Sequence, residues 1–328
     1  MAIAGGSRTI RYAILGTGAI GGYYGACLQR AGQDVHFLLH RDYDHVHQHG
    51  LRIDSVQGDF ILPKVQSYCQ VDDIPPVDVV VIALKTTQNT HLLPALLPPL
   101  LGPETVIVTL QNGLDIEGAI AKIAPHTPIF SGLCFICSNK IGPGHILHLD
   151  YGSILLGVYD AQGQPAGLTP ALETIAQNFT TAGIAIEVTE DLYLARWRKL
   201  VWNIPFNGLS VVLNATTAEM MADSHTRELL AALMHEVVTA ANTCASKITP
   251  QGDRTLDTEL IDTMLTHTAQ MKPYRTSMKI DFDEGRSLET EAILGNPLKA
   301  ARWADVKAPR IEMLYQQLKA IEQIASLS

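Results

Sequence analysis

The chain has 328 residues, 47% of them hydrophobic and 17% charged, with a mean hydropathy of +0.12 and a formal net charge of −9. That length suits two domains with a sizeable core, and the apolar share leaves little room for long disorder. The 24 basic residues form no dense run and the balance is acidic, which argues against a nucleic-acid partner, and no apolar run reaches membrane-spanning length.

The opening MAIAGGSRTI lacks a basic segment followed by an apolar core, so it reads as a loose leader, not a secretory signal, and the expected location is cytoplasmic. Residues 12–15 (YAIL) form a β-prone run, and Gly16, Thr17, Gly18, Ala19, Ile20 and Gly21 follow at once, leading into a helical pattern that ends near Gly32. This is strand, glycine turn, helix. The first glycine permits the tight turn, the second lets a pyrophosphate approach the backbone, and the third lets the helix pack on the strand, so the pattern predicts a dinucleotide site. The following strand, residues 34–39 (DVHFLL), ends in His40 and Arg41, where an NAD site usually carries an acid. A guanidinium pairs with a phosphate that a carboxylate would repel, so the expected cofactor is NADPH.

Further β-branched runs occupy residues 78–84 (DVVVIAL), 105–110 (TVIVTL), 129–137, 153–158 and 184–188, as expected for a sheet buried on both faces. Lys85 directly follows the first of these and Gln111-Asn112-Gly113 the second, where strand ends of a doubly wound sheet line the ligand crevice. Five cysteines stand at 27, 69, 134, 137 and 244; Cys134 and Cys137 form a CxxC inside an apolar run with no second pair, so buried reduced thiols are expected and no metal. From about residue 189 the pattern changes to helical periodicity, as at residues 226–245 and 309–325. The predicted organisation is an α/β Rossmann-type domain over residues 1–188 followed by an all-α domain over 189–328.

Within the helical half, KLVWNIPFNGLS spaces Lys199, Asn203 and Asn207 at i, i+4 and i+8. At about 100° per residue these drift only about 80° around a helix, giving a polar stripe in apolar sequence suited to a small anionic or carbonyl-bearing molecule. Pro205 between the asparagines deletes a helix hydrogen bond and is expected to kink the helix. Farther on, Tyr274-Arg275-Thr276-Ser277-Met278, Asp281 and Glu289 supply more polar groups; spacing alone makes Ser277 an N-cap and Glu289 an exposed helical acid. Lys85, Lys199 and Arg275 are the local cations that would draw an anion to an acidic protein.

Taken in order, these pieces resemble the ketopantoate reductase family over nearly the full chain. The resemblance rests on the early GxGxxG, LKTTQ at residues 84–88, LQNG at 110–113, PGHILH at 143–148, the Lys199, Asn203, Asn207 series, the RTSM element with Asp281, and ETEAILG at 289–295. It implies reduction of the ketone of 2-dehydropantoate by NADPH to (R)-pantoate, on the route to pantothenate and coenzyme A. It also implies Lys199 as general acid and Glu289, in preference to Glu291, as a second polar group at the substrate. Asn112, Asn203, Asn207 and Ser277 become substrate ligands, with Lys85 near the nicotinamide. Arg41 stands one position after the family's usual phosphate-binding arginine, where this chain has His40, so both are candidates for the 2′-phosphate. The alternatives are a reductase of another branched 2-oxo acid and, against the presence of both Lys199 and Glu289, a non-catalytic NADP(H) sensor. The sequence shows no dimer seam and does not fix the oligomeric state; a homodimer through the helical half is compatible with it.

Overall fold

The computed structural model describes residues 9–325, which form two compact units. The first comprises residues up to Gln111, then Ile116–Ala161 and Pro165–Leu192; the second comprises Asn112–Asp115, Gln162–Gln164 and the chain from Tyr193 onward. Most of the expected leader lies outside the described residues, but Ile10 does not belong to a loose leader: it is buried in the core of the first unit.

The ten strands found among the described residues lie in the first unit and form one sheet. They are β1 (Arg11–Leu15), β2 (Asp34–Leu38), β3 (Leu51–Ser55), β4 (Phe60–Leu62), β5 (Gln66–Tyr68), β6 (Val79–Ile82), β7 (Val106–Thr109), β8 (Ile129–Gly142), β9 (His145–Val158) and β10 (Ile186–Thr189). The helices of this unit are α1 (Ala19–Arg30), α2 (Tyr43–His49), α3 (Asn89–Leu96), α4 (Ile116–Ile123) and α5 (Pro170–Thr181). The parallel part runs β5-β2-β1-β6-β7-β8, so the strand order reverses between β1 and β6. Such a reversal opens a crevice at the carboxyl ends of the strands, where the glycine turn after β1 sits. β6 and β7 are buried at every position, which explains their unbroken apolar runs.

β8 pairs antiparallel with β9, and the far edge of β9 is shared: its first residues pair with β3 and its last with β10. Three register shifts interrupt the β8–β9 ladder, the first between Phe135 and Ile136, inside the CxxC. Both Cys134 and Cys137 are buried strand residues, all five cysteines are free, and among the described residues no group of metal-ligating side chains gathers. The PGHILH segment turns β8 into β9 and fastens β9 to β3. His145 Nε2 meets Asp54 Oδ2 at 2.8 Å, and buried His148 places Nδ1 2.8 Å from Ser55 Oγ. Since His148 Nε2 faces the carbonyls of Asp150 and Tyr151, each at 3.1 Å, it carries the proton and Nδ1 accepts from the serine hydroxyl.

The second unit is built of helices α6 (Leu192–Val212), α7 (Thr217–Ala222), α8 (Ser224–Ile248), α9 (Glu259–Gln270), α10 (Ser277–Asp283), α11 (Asn296–Trp303) and α12 (Pro309–Ala325). A π-helical turn, Glu291–Gly295, leads into α11. The core gathers Trp197, Leu200, Val201, Ile204 and Phe206 of α6 with Leu230, Met234 and Val237 of α8 and Ile311, Leu314 and Leu318 of α12. Pro205 does not end α6, which continues for seven residues to Val212; Trp202 stacks on Phe206 across it, with ring centroids 4.7 Å apart. Packing on a buried helix compensates for the one hydrogen bond that the ring removes. The expected fold class, a Rossmann-type α/β domain followed by a helical one, is therefore what the chain adopts. Among the described residues no helix is long and apolar enough to cross a membrane.

Candidate functional site

The glycine turn shows three different uses of a missing side chain. Gly16 has φ +99°, and a Cβ there would lie 2.6 Å from Leu84 N; one at Gly21 would lie 2.3 Å from Gly16 O. Those two glycines are required by the protein's own packing. Gly18, the N-cap of α1, would place a Cβ with nothing within 4 Å, so its bareness serves no internal contact and leaves the helix N-terminus approachable. The N–H groups of Ala19, Ile20 and Gly21 belong to the first turn of α1, whose amides point along the axis without intrahelical acceptors. A cradle of this kind fits the pyrophosphate of a dinucleotide.

Side chains hold the turn in place. Thr17, buried, donates through Oγ1 to Leu38 O at the end of β2 (3.1 Å), and Lys140 Nζ donates to Thr17 O (3.2 Å) while pairing with Asp42 Oδ2 (2.5 Å). Asp42 Oδ2 also accepts from Gly144 N at 3.1 Å, so the acid nearest the cofactor-selecting position is already engaged by its own protein. His40 and Arg41 follow β2 on the surface, and among the described residues neither side chain has a partner. Lys140 was not evident from sequence: it lies 123 residues from Thr17, in a stretch with no cofactor motif.

The ends of β6 and β7 are joined by a pair of carboxamides. Gln111 Nε2 donates to Asn89 Oδ1 and to Leu84 O, each at 2.7 Å, while Asn89 Nδ2 donates back to Gln111 Oε1 at 3.0 Å. Both side chains are buried, so this exchange fixes the exit of β7 immediately before Asn112. Lys85 is exposed and precedes a short 3₁₀ turn, Thr86–Gln88.

In the second unit the polar stripe of α6 has three distinct environments. Lys199 Nζ donates to Asn112 Oδ1 at 2.8 Å. Asn207 is spent partly on architecture: its Oδ1 accepts from Met278 N at 3.2 Å and Ser277 Oγ at 3.4 Å, capping α10 from the side. Asn203, midway between them, is 7% exposed, and among the described residues its carboxamide has no hydrogen-bond partner. Its amide atoms are not among the sealed, unpartnered polar atoms, so they remain within reach of a ligand or water. The stripe therefore presents an ammonium held by Asn112 and, one turn along, a carboxamide that makes no hydrogen bond among the described residues.

The two readings made from spacing alone for the distal elements are corrected. Thr276, not Ser277, caps α10: its side chain accepts from Lys279 N at 3.2 Å, and Ser277 is the first helical residue with its hydroxyl turned to Asn207. Glu289 is not an exposed helical acid; it is 6% exposed and precedes the π turn, its carbonyl accepting from Ile293 N. Glu291, by contrast, is exposed and accepts from Tyr315 OH at 2.6 Å. Arg275 is an exposed cation already bridged to Asp283 (3.1 Å), and the hydrogen bond from Lys279, assisted by Arg275, holds the Asp283 carboxyl below the usual range. The structure thus brings together Lys199 with Asn112 and Asn207 with Ser277. Arg196, one turn before Lys199 and buried, and Asn296 were missed by the sequence reading; both hold the backbone after Asn112.

Comparison with known proteins agrees with this architecture. The family model described as "Ketopantoate reductase PanE/ApbA" matches residues 12–161, and that described as "Ketopantoate reductase PanE/ApbA C terminal" matches residues 191–322. A 2-dehydropantoate 2-reductase of Nostoc sp. is 55% identical over 312 residues, covering 95% of each chain. Among solved structures, 2-dehydropantoate 2-reductase from Geobacter metallireducens superposes with a TM-score of 0.87 at 39% identity, covering 95% of this chain and 100% of that one. The enzyme of the same name from Methylococcus capsulatus gives 0.86 at 33% identity, covering 97% and 99%. With both halves matched in order and more than half the residues shared with one relative, the chain is an oxidoreductase belonging to the ketopantoate reductase family.

Proposed function

We propose that the protein reduces the ketone of 2-dehydropantoate to the alcohol of (R)-pantoate with NADPH, in pantothenate and coenzyme A biosynthesis, Lys199 supplying the proton. The observation that carries this reading is the Lys199 ammonium held by Asn112 at 2.8 Å, one helical turn from Asn203, whose carboxamide has no hydrogen-bond partner among the described residues. When bound, the dinucleotide supplies the hydride. The residues that would hold it are the turn Gly16–Gly21, whose cradle fits a pyrophosphate, with Arg41 or His40 at the 2′-phosphate and Lys85 toward the nicotinamide.

Hydride addition turns a neutral carbonyl oxygen into an alkoxide. An ammonium aimed at that oxygen stabilises the growing negative charge and then gives up a proton, which is both electrostatic and general-acid catalysis. Asn112, by accepting an N–H of Lys199, helps to set the direction of its ammonium. Asn203 has a donor pair and an acceptor left for the substrate's hydroxyl and carboxylate, and Asn207 keeps its amide donors because only its oxygen is spent on α10. Ser277 adds a hydroxyl and Glu289 a buried carboxyl beside the π turn.

The test is the oxidation of NADPH by the purified protein with 2-dehydropantoate, with NADH and other branched 2-oxo acids in parallel. Turnover that favours NADPH and 2-dehydropantoate is the expected result. Preference for another 2-oxo acid would move the substrate assignment to a related reductase, and tight NADPH binding without turnover of any of them would make the protein a sensor.

A further inference from the structure

The π turn before α11 has a consequence for the strap Asn112–Leu114. In an α-helix the carbonyl of Ala292 would accept from the amide of residue 296, but here Asn296 N gives its hydrogen to Glu291 O, five residues back. The next amide in line belongs to residue 297, which is proline and has none. The Ala292 carbonyl is therefore left without a helical donor, and it accepts instead from Leu114 N at 2.9 Å. Asn296 closes the same strap from the other side, donating through Nδ2 to Leu114 O at 2.8 Å. Arg196, buried on α6, donates through Nη1 to Gly113 O at 2.9 Å. Three successive backbone groups after Asn112 are thus held by three separate partners.

The fit tolerates little slack. Gly113 has φ +111°, and a Cβ there would come within 2.5 Å of Ala292 O, so the strap lies directly against the π turn. What the strap carries is Asn112, the acceptor for Lys199. We infer that Asn296 and Arg196 are positioning residues: with the Ala292 carbonyl freed by Pro297, they hold the strap so that Asn112 sets the direction of the Lys199 ammonium. The proposal rests on the reading of Lys199 as proton donor. It explains why a π turn, which costs helix stability and persists mostly at functional sites, stands at this point in the chain.

The test combines steady-state kinetics with amide hydrogen exchange on the full-length protein. Kinetics use the 2-oxo acid that the wild type reduces best. Asn296→Ala is expected to lower kcat about tenfold with little change in KM for the reduced nucleotide, since a displaced catalytic group loses rate more than binding. In an Asn112→Ala background the same substitution is expected to have no further effect, because its influence passes through Asn112. The Leu114 amide should exchange faster in Asn296→Ala, and Arg196→Lys should retain more activity than Arg196→Met. Because Asn296 is partly exposed, its variant carries the decision should the buried Arg196 variants fail to fold. Equal kcat losses with and without Asn112, or an unchanged Leu114 amide, would overturn the proposal. A wild type inactive on every 2-oxo acid would defeat the catalytic reading, and the positioning role with it, while the exchange measurement separately judges the clamp.

Discussion

The glycine turn after β1 and the polar stripe of α6 are both short polar segments in apolar surroundings, yet they are built in opposite ways. The turn is made of backbone. Its two structural glycines are forced by contacts at 2.6 and 2.3 Å with the chain itself, and its binding groups are amides that every residue possesses. The stripe is made of side chains whose meaning depends on distant partners: Lys199 on Asn112, 87 residues away, and Asn207 on the start of α10, 70 and 71 residues away. A site made of backbone can be recognised from local spacing, whereas a site made of side chains takes its roles from the tertiary fold.

Breaking the side-chain site should give the largest effect. Lys199→Ala is expected to lower kcat roughly 10²- to 10⁴-fold, the usual share of a general acid, while leaving NADPH affinity nearly unchanged. Titration of the variant with NADPH checks this, and an equal loss of binding and turnover would assign the lysine to structure instead.

Within the turn, two glycines should separate. Gly18→Ala meets nothing in the protein, so the melting temperature without cofactor should hold while affinity for the dinucleotide drops about tenfold or more, because the methyl fills the pyrophosphate's approach. Gly21→Ala should do the reverse first, lowering the melting temperature by forcing the turn and α1 apart. Similar melting temperatures for the two variants would remove the distinction.

A smaller effect is expected at the position proposed for a 2′-phosphate. Arg41→Ala should weaken NADPH by roughly 10- to 100-fold, in line with about 1.5–3 kcal/mol for a charge-assisted hydrogen bond, and leave NADH nearly alone. An unchanged ratio of the two affinities, with the loss appearing in His40→Ala, would transfer the role to the histidine.

The smallest effect concerns stability in the first unit. Burial holds the His148 imidazole below its usual 6.5, so in mildly acidic solution the unfolded chain binds a proton that the folded chain does not. Stability then rises with pH up to about 6.5 and is lost as the pH falls below it. His148→Gln should flatten the acid side of the melting-temperature profile, and a slope as steep as the wild type's would place the titration elsewhere, for instance at His36, which burial also depresses.

How far the sequence could be read follows from the same contrast. β6 and β7 were legible because burial on both faces makes their strands uniformly apolar, and α12 because its periodicity is unbroken. β3, β4 and β5 were not: LRIDS, FIL and QSY are short runs without a clear strand pattern, and they pair onto edges that β9, β3 and β2 offer them. The cap of α10 fell to Thr276 because Ser277 was drawn to Asn207, a contact no spacing reveals. Glu289 is buried just before the π turn, a turn that appears only when Asn296 N is seen to reach back to Glu291. Arg196 reads as one of several helical cations until Gly113 O is placed beside it.

The most direct test is a crystal structure of the protein with NADP⁺ and pantoate. The account predicts the pantoate hydroxyl oxygen within hydrogen-bond distance of Lys199 Nζ, Asn112 still accepting from that lysine, and the Asn203 carboxamide completed by the ligand. Pantoate bound with Asn203 untouched and its hydroxyl remote from Lys199 would contradict it.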